Sequence, residues 1–197
     1  IVQYKDLSDD DINSLFTFTF WLSLALTSLF FISAGLIADY YGSQQLISIC
    51  RLLSISLFFN TLNIVPNALL YRNKEFKFIA KRTLFVQLIT GLIAVVAAVM
   101  GTGIIALLIN PVLSAIFIFI FSFRKHPLKF HMTLGVEALK KIFSYSIFQF
   151  LFSLINYFSR NLDKLLIGRY MGMGLLGYYE KSYRLMMLPL QNITYVI

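Results

Sequence analysis

Charged side chains are scarce in this sequence. Only 13% of its 197 residues are Asp, Glu, Lys or Arg, whereas a soluble domain carries about 25%. Hydrophobic residues make up 58% of the chain, and the mean hydropathy is +0.77. Because so few charges cannot cover a water-facing surface, this composition excludes soluble globular, disordered and collagen-like proteins. It indicates an integral membrane protein whose main solvent is lipid.

Cysteine and histidine are also rare. The single cysteine, Cys50, excludes a disulfide framework and a cysteine-based metal site. His126 and His131 lack carboxylates at ligand spacing, and we interpret them as loop residues. The sequence lacks a Walker loop and the serine-hydrolase and zinc-protease motifs. We therefore predict no catalytic group, metal site or cofactor, and we do not expect an enzyme.

Long uncharged stretches are abundant, and they predict membrane-spanning helices of roughly 20 residues. The run from Thr83 to Phe123 is too long for one helix. Since glycine favours turns, we expect this run to break at Gly101 and Gly103 and to form a tight antiparallel hairpin. Six spans are predicted in all, at about 15–38, 46–70, 83–100, 103–123, 142–163 and 174–197. The sequence thus predicts an all-α integral membrane protein, folded as a polytopic helical bundle.

Lysine and arginine are distributed unevenly between the predicted loops. Residues 71–82 and 124–141 each contain five such cations, whereas 39–45 and 100–103 contain none. Because cytoplasmic loops carry the positive excess, we place the first two loops in the cytoplasm and the other two outside. The cations are dispersed between spans and do not form one basic face, so a nucleic-acid partner is not expected.

A polar stripe runs along the fifth predicted span. Gln149, Asn156, Arg160 and Asp163 follow one another at steps of seven, four and three, which places them on one helical face. Arg160 and Asp163 are spaced to form an ion pair, and Lys164 adds a further cation. Polar groups at bilayer depth are costly and often functional. The stripe is therefore a candidate binding surface.

Other ionisable residues lie in the second and sixth predicted spans. Arg51 is near the start of the second, and Glu180 and Arg184 are spaced to pair in the sixth. Each buried arginine is expected to face water, a carboxylate or a substrate.

Three cations oppose the predicted topology. Arg160, Lys164 and Arg169 fall on the outer side, against the positive-inside bias. Two interpretations stay open: the cations line a cavity for an anionic substrate, or they snorkel to the outer interface.

Three segments carry motifs of a known family. They are Ile1–Asp9, Pro66–Phe78 and, near the C-terminal end, Asn161–Gly172 with Leu176–Tyr179, Ser182–Leu185 and Pro189. In order and spacing they resemble polysaccharide repeat-unit flippases of the multidrug/oligosaccharidyl-lipid/polysaccharide exporter superfamily. Because the sequence starts without methionine and ends inside an apolar run, we expect a piece of a longer protein. The resemblance implies the third to eighth helices of a larger two-lobe transporter.

The resemblance also implies a domain organisation and an activity. Residues 1–123 would belong to the N-terminal lobe, 124–141 to a cytoplasmic inter-lobe loop and 142–197 to the start of the C-terminal lobe. Family members move an undecaprenyl-diphosphate-linked oligosaccharide across the bacterial cytoplasmic membrane by alternating access. The implied partners are this lipid-linked oligosaccharide, membrane lipids, a polysaccharide polymerase and glycosyltransferases. H⁺ or Na⁺ is a candidate coupling ion.

The diphosphate of such a substrate calls for cations, and its sugars call for tyrosines and amides. We expect the outward half of a central cavity to be lined by Arg160 and Asp163, with Arg51, Lys164, Glu180 and Arg184. Gln149 and Asn156 complete the predicted substrate-binding residues. Three alternatives stay open at this point: a drug or cation antiporter of the same superfamily, a membrane-embedded polymerase or glycosyltransferase, and a scaffold without transport activity.

Overall fold

The computed structural model describes residues 7–130 and 136–194, and the side chains of 7–130 and 146–189. These residues form seven helices. The helices are α1 (Asp9–Tyr41), α2 (Gln45–Leu62), α3 (Ile64–Arg72), α4 (Phe76–Val99), α5 (Ile104–Lys125), α6 (Val136–Tyr170) and α7 (Met173–Thr194). Helix prevails because lipid offers no partners for backbone N–H and C=O groups, which must bond within each segment. The predicted all-α helical membrane bundle is confirmed.

Four stretches of the described chain are long and apolar enough to cross a membrane. They are α1, the α2–α3 segment, α4 and α5. Large apolar side chains such as Ile32, Leu36 and Leu107 are exposed along them, as expected for surfaces that contact lipid. The predicted spans 142–163 and 174–197 fall on α6 and α7, and their crossing of the membrane stays a prediction.

Helix α1 is longer than the predicted span 15–38 because both of its ends are capped. The Ser8 hydroxyl accepts a hydrogen bond from the Asp11 amide, and the Asp11 carboxylate accepts one from the Ser8 amide, both at 3.2 Å. This capping box satisfies two amides at the start of the helix. At the other end Gly42 adopts a left-handed φ of 67° and donates back to Ala38 and Asp39.

The second predicted span, at about 46–70, is divided between two helices in the structure. Helix α2 ends at Leu62, and α3 starts at Ile64 after Asn63. Pro66 has no N–H to donate to the carbonyl of Leu62, so the regular hydrogen-bond ladder fails one turn before the proline. The short helix α3 then continues to Arg72.

Two predicted loops are shorter than expected. Helix α4 begins at Phe76, so Arg82 belongs to a helix and not to a cytoplasmic loop over 71–82. Helix α5 extends to Lys125 and α6 begins at Val136. The predicted loop 124–141 therefore shrinks at both ends, and its residues 131–135, with His131, lie outside the described residues.

The predicted cytoplasmic end of the bundle contains the main hydrophobic core. It joins side chains of α1 to side chains of α2 and α3. The cluster comprises Leu7, Ile12, Leu15, Phe16, Leu62, Val65 and Leu69. Dense apolar packing of this kind holds α3 against α1 despite the break that precedes it.

Polar contacts join α4 to α5 at bilayer depth. The Thr90 and Ser114 hydroxyls both donate to the Asn110 side-chain oxygen, at 2.8 and 2.9 Å. On α2 the Ser56 hydroxyl donates to the carbonyl of Pro111 at 3.1 Å. Hydrogen bonds between helices are a common use of polar side chains in membranes. These residues therefore stabilise the helix packing around Pro111.

Candidate functional site

The polar residues of the last two helices meet at the α6–α7 turn. Gly172, with φ of 87°, forms the turn between the helices, which then run antiparallel and face each other. Lys164 on α6 forms an ion pair with Glu180 on α7, with 2.7 Å between Nζ and Oε2. The same ammonium lies 5.1 Å from the ring centroid of Tyr183. A cation over a tyrosine face is attracted by the ring quadrupole, so Lys164 is held from two sides.

The neighbouring carboxylate is held by a tyrosine. The Tyr179 hydroxyl donates to Oδ2 of Asp163, and the backbone amide of Lys164 donates to Oδ1 at 2.8 Å. The rings of Tyr179 and Tyr183 stack with their centroids 6.2 Å apart. We call Asp163, Lys164, Tyr179, Glu180 and Tyr183 the hairpin cluster. It combines a cation, two carboxylates and two aromatic rings across two helices.

The structure rearranges both predicted same-helix ion pairs. Within the described residues, Asp163 bonds to Tyr179 and not to Arg160, and Glu180 pairs with Lys164 and not with Arg184. The reason is the hairpin, which places groups of the facing helix closer than groups one turn away. Arg160 and Arg184 are left exposed, and in the described part of the chain neither forms an ion pair. Both guanidinium groups are available to an anion.

The remaining predicted site residues lie apart from the hairpin cluster. Gln149 and Asn156 are exposed on α6, on the N-terminal side of the cluster. Arg51 is exposed on α2, and its guanidinium carbon lies 5.0 Å from the ring centroid of Phe31 on α1. The structure therefore brings three of the eight predicted residues into contact, Asp163, Lys164 and Glu180. Arg51 is not part of that contact.

Sequence reasoning did not assign the two tyrosines of the cluster or the buried Arg82 to any site. Tyr183 is spaced at i,i+4 from Tyr179 and at i,i+3 from Glu180, which places it on one helical face with each of them. Arg82 is 7% exposed and shares a buried face of α4 with Val86 and Thr90. That spacing of four marks one helical face and was the available signal that Arg82 lies inside the bundle.

A separate cavity of about 650 Å³ lies at the predicted cytoplasmic end of the bundle. Its polar lining includes Asp9, Asp10, Asn13, Arg72, Asn73, His126 and Lys129. Beside it, Glu75 pairs with His126 at 3.0 Å. No predicted site residue lines this cavity, so it is distinct from the hairpin cluster. In the part of the chain that the structure describes, no group of three potential metal ligands occurs.

Together, the helices, the lipid-exposed apolar surface and the polar hairpin define a multi-pass helical membrane protein. A family profile described as "Polysaccharide biosynthesis protein" matches residues 1–197, and the chain belongs to this family. The resemblance noted in the sequence is thereby confirmed at the level of the family.

A curated relative carries a more particular name. The chain is 24% identical over 199 residues to the "Teichuronic acid biosynthesis protein TuaB" of Bacillus subtilis (strain 168). The match covers 100% of this chain and 41% of the relative, so the chain spans about two fifths of the relative's length. No solved structure matches the chain.

Proposed function

We propose that the protein to which this chain belongs flips an undecaprenyl-diphosphate-linked oligosaccharide across the bacterial cytoplasmic membrane. The observation that carries the proposal is the match of the whole chain to a polysaccharide biosynthesis family of membrane proteins. The curated relative is named for teichuronic acid biosynthesis, which also supports a role in polymer biosynthesis. Glycosyltransferases would supply the lipid-linked repeat unit, and a polymerase would consume it.

The charge balance of α6 and α7 favours an anionic cargo. The described side chains of these helices include five cations, Arg160, Lys164, Arg169, Lys181 and Arg184, and two carboxylates, Asp163 and Glu180. A drug or cation antiporter would need the opposite excess. A diphosphate carries the charge that this excess can bind, and a guanidinium binds it with a fork of parallel N–H donors.

The hairpin cluster suggests how an empty site stays stable. Without substrate, Glu180 neutralises Lys164 and Tyr179 satisfies Asp163. This compensation matters because a lone charge at membrane depth is costly. We propose that the diphosphate displaces Glu180 from Lys164 while Arg160 and Arg184 close on the remaining phosphate oxygens.

The sugars have partners of a different kind. The exposed amides of Gln149 and Asn156 can each donate and accept hydrogen bonds, as sugar hydroxyls require. No bond of the substrate needs to form or break during this transfer. Alternating access between the two leaflets would follow from rocking one lobe against the other.

Substitution of Arg160 in the full-length protein tests the proposal. We expect Arg160→Ala and Arg160→Lys both to reduce polymer export by about tenfold, because a charge-assisted hydrogen bond contributes about 1.5–3 kcal/mol and lysine lacks the bidentate fork. The lipid-linked repeat unit should accumulate in the inner leaflet. Membrane abundance of each variant is measured alongside.

Lys77→Ala is the matched control, since Lys77 is an exposed cation of α4 outside the helices whose charge excess is assigned to the diphosphate. Normal export by both Arg160 variants at wild-type abundance would show that Arg160 is only an interfacial anchor. If deletion of the whole gene leaves the lipid-linked repeat unit evenly distributed and export intact, the flippase proposal itself fails.

A further inference from the structure

The α6–α7 hairpin contacts the rest of the described chain at one end. Within the described part, α6 packs on α1 as well as on α7. The contact joins Tyr40 and Tyr41, in the last turn of α1, to Gly168 and Arg169, in the last turn of α6. By contrast, every side chain of α6 from Phe148 to Arg160 is exposed. The two helices therefore meet at their predicted outer ends and not along the polar stripe.

Arg169 forms the polar half of this contact. Its Nη1 donates to the backbone carbonyl of Tyr40, and its guanidinium carbon lies 5.1 Å from the Tyr40 ring centroid. The last carbonyls of a helix lack partners within that helix and carry a partial negative charge. Helix α1 has no basic residue in its own last turn. Arg169 thus supplies from α6 the cation that the end of α1 lacks.

Gly168 forms the close-packed half. A Cβ atom at this position would lie 2.7 Å from Cε1 of Tyr41, which is closer than non-bonded carbon atoms approach. Small residues let membrane helices come together in this way. At Gly174 and Gly177, in the following helix, an added Cβ atom would have nothing within 4 Å. Among these three glycines, Gly168 is the one where an added Cβ atom would meet neighbours, the Tyr41 ring at 2.7 Å and Cδ2 of Leu176 on α7 at 3.1 Å.

We propose that Tyr40, Tyr41, Gly168 and Arg169 form the outer gate of the transport path, closed in this structure, and we call these four residues the outer gate. The inference rests on the proposed function, since a gate requires a path. The proposal implies that Gln149, Asn156 and Arg160 cannot be reached from outside while the ends of α1 and α6 are joined. The gate also gives a reason for Arg169 to lie on the outer side, a position that the positive-inside bias does not favour.

The size of the contact suits a gate that opens in each transport cycle. It consists of one charge-assisted hydrogen bond, one cation–π contact and one point of close packing. A bistable element of this kind shifts when a ligand binds one of its states more tightly. Substrate bound between Arg160 and α7 lies about two turns below the gate on the same helix, so binding can strain the gate directly.

Accessibility of the stripe from outside tests the gate. The full-length protein carries Cys50→Ser and the reporter Asn156→Cys, and intact cells are treated with a membrane-impermeant thiol reagent. We expect little labelling with an intact gate and at least a threefold increase with Gly168→Leu, whose side chain must displace Tyr41. Arg169→Ala should give a similar increase, and Arg169→Lys a smaller one because a lysine retains the charge near the α1 carbonyls.

Gly177→Leu is the matched control, since open space surrounds Gly177, and it should leave labelling unchanged. A permeant thiol reagent must label Asn156→Cys equally in all variants. Equal labelling by the impermeant reagent in gate and control variants would overturn the gate, including when Gly168→Leu fails to accumulate, because the two Arg169 variants give the same readout. If labelling rises as expected but gene deletion does not disturb the lipid-linked repeat unit, the gate stands and the proposed substrate falls.

Discussion

Arg82 shows how one residue can join three helices of a membrane bundle. From α4 its guanidinium donates to the Ser122 hydroxyl on α5 and to the Asn67 side-chain oxygen on α3, the latter at 3.1 Å. In the described part of the chain its Nε has no hydrogen-bond partner. Replacing the guanidinium would remove the donor that Asn67 accepts from, whereas the Ser122 hydroxyl would keep its hydrogen bond to the carbonyl of Ile118. The residue therefore supports the packing of the short helix α3.

Arg82→Ala is expected to destabilise the protein. A buried polar group that loses its partner costs about 1–3 kcal/mol, and we expect a loss of this size because the Asn67 side-chain oxygen loses its donor. Unfolding of the purified full-length protein in a denaturing-detergent titration measures this loss. Lys81→Ala is the matched control because Lys81 precedes Arg82 on α4 and is exposed. Equal losses of stability in the two variants would mean that the hydrogen bonds of Arg82 do not stabilise the protein.

The turn between α4 and α5 is an element whose geometry depends on glycine. Gly101 has φ of 79°, and Gly103 has φ of 61° with ψ of −129°. Residues with a Cβ atom rarely adopt the second of these conformations. Two glycines in four residues let α4 and α5 pack as adjacent antiparallel helices, with Thr90, Asn110 and Ser114 in contact.

Gly103→Ala should destabilise this hairpin by about 1–3 kcal/mol, the usual cost of a strained backbone conformation. Gly91→Ala, within α4, makes the same chemical change where nothing lies within 4 Å of the added Cβ. We expect that control to be neutral or slightly stabilising, because alanine loses less conformational freedom in a helix. Denaturing-detergent unfolding compares the two variants, and equal stabilities would contradict the assigned role of Gly103.

At the scale of the whole molecule, orientation in the membrane is the property to test. The uneven distribution of lysine and arginine places residues 39–45 outside and 71–82 inside. In a Cys50→Ser background, we expect an impermeant thiol reagent on intact cells to label Ser43→Cys and not Asn73→Cys. Ser43 is partly exposed and Asn73 is exposed, so burial does not account for the expected difference. Labelling of Asn73→Cys alone would invert the topology, and with it the assignment of the outer gate.

Most of the helical architecture followed from the sequence alone. Uncharged stretches of spanning length located the helices, because lipid admits only segments whose backbone bonds internally and whose side chains are apolar. Gly101 and Gly103 indicated the break between α4 and α5, because glycine adopts turn conformations that other residues avoid. The helix ends were less predictable, because a charged residue does not always mark the end of a helix. Arg82 lies inside α4, where side chains of other helices accept its hydrogen bonds.

The composition of the candidate site was readable from the sequence, but its pairing was decided by the tertiary structure. Helical spacing identified Asp163, Lys164 and Glu180, because periodicity is a local property of the chain. It also suggested ion pairs one turn apart on the same helix. The antiparallel α6–α7 hairpin instead brings Lys164 to Glu180 and Asp163 to Tyr179. Contacts between helices depend on the turn and the packing, neither of which periodicity encodes, and the approach of Arg169 to Tyr40 depends on them in the same way.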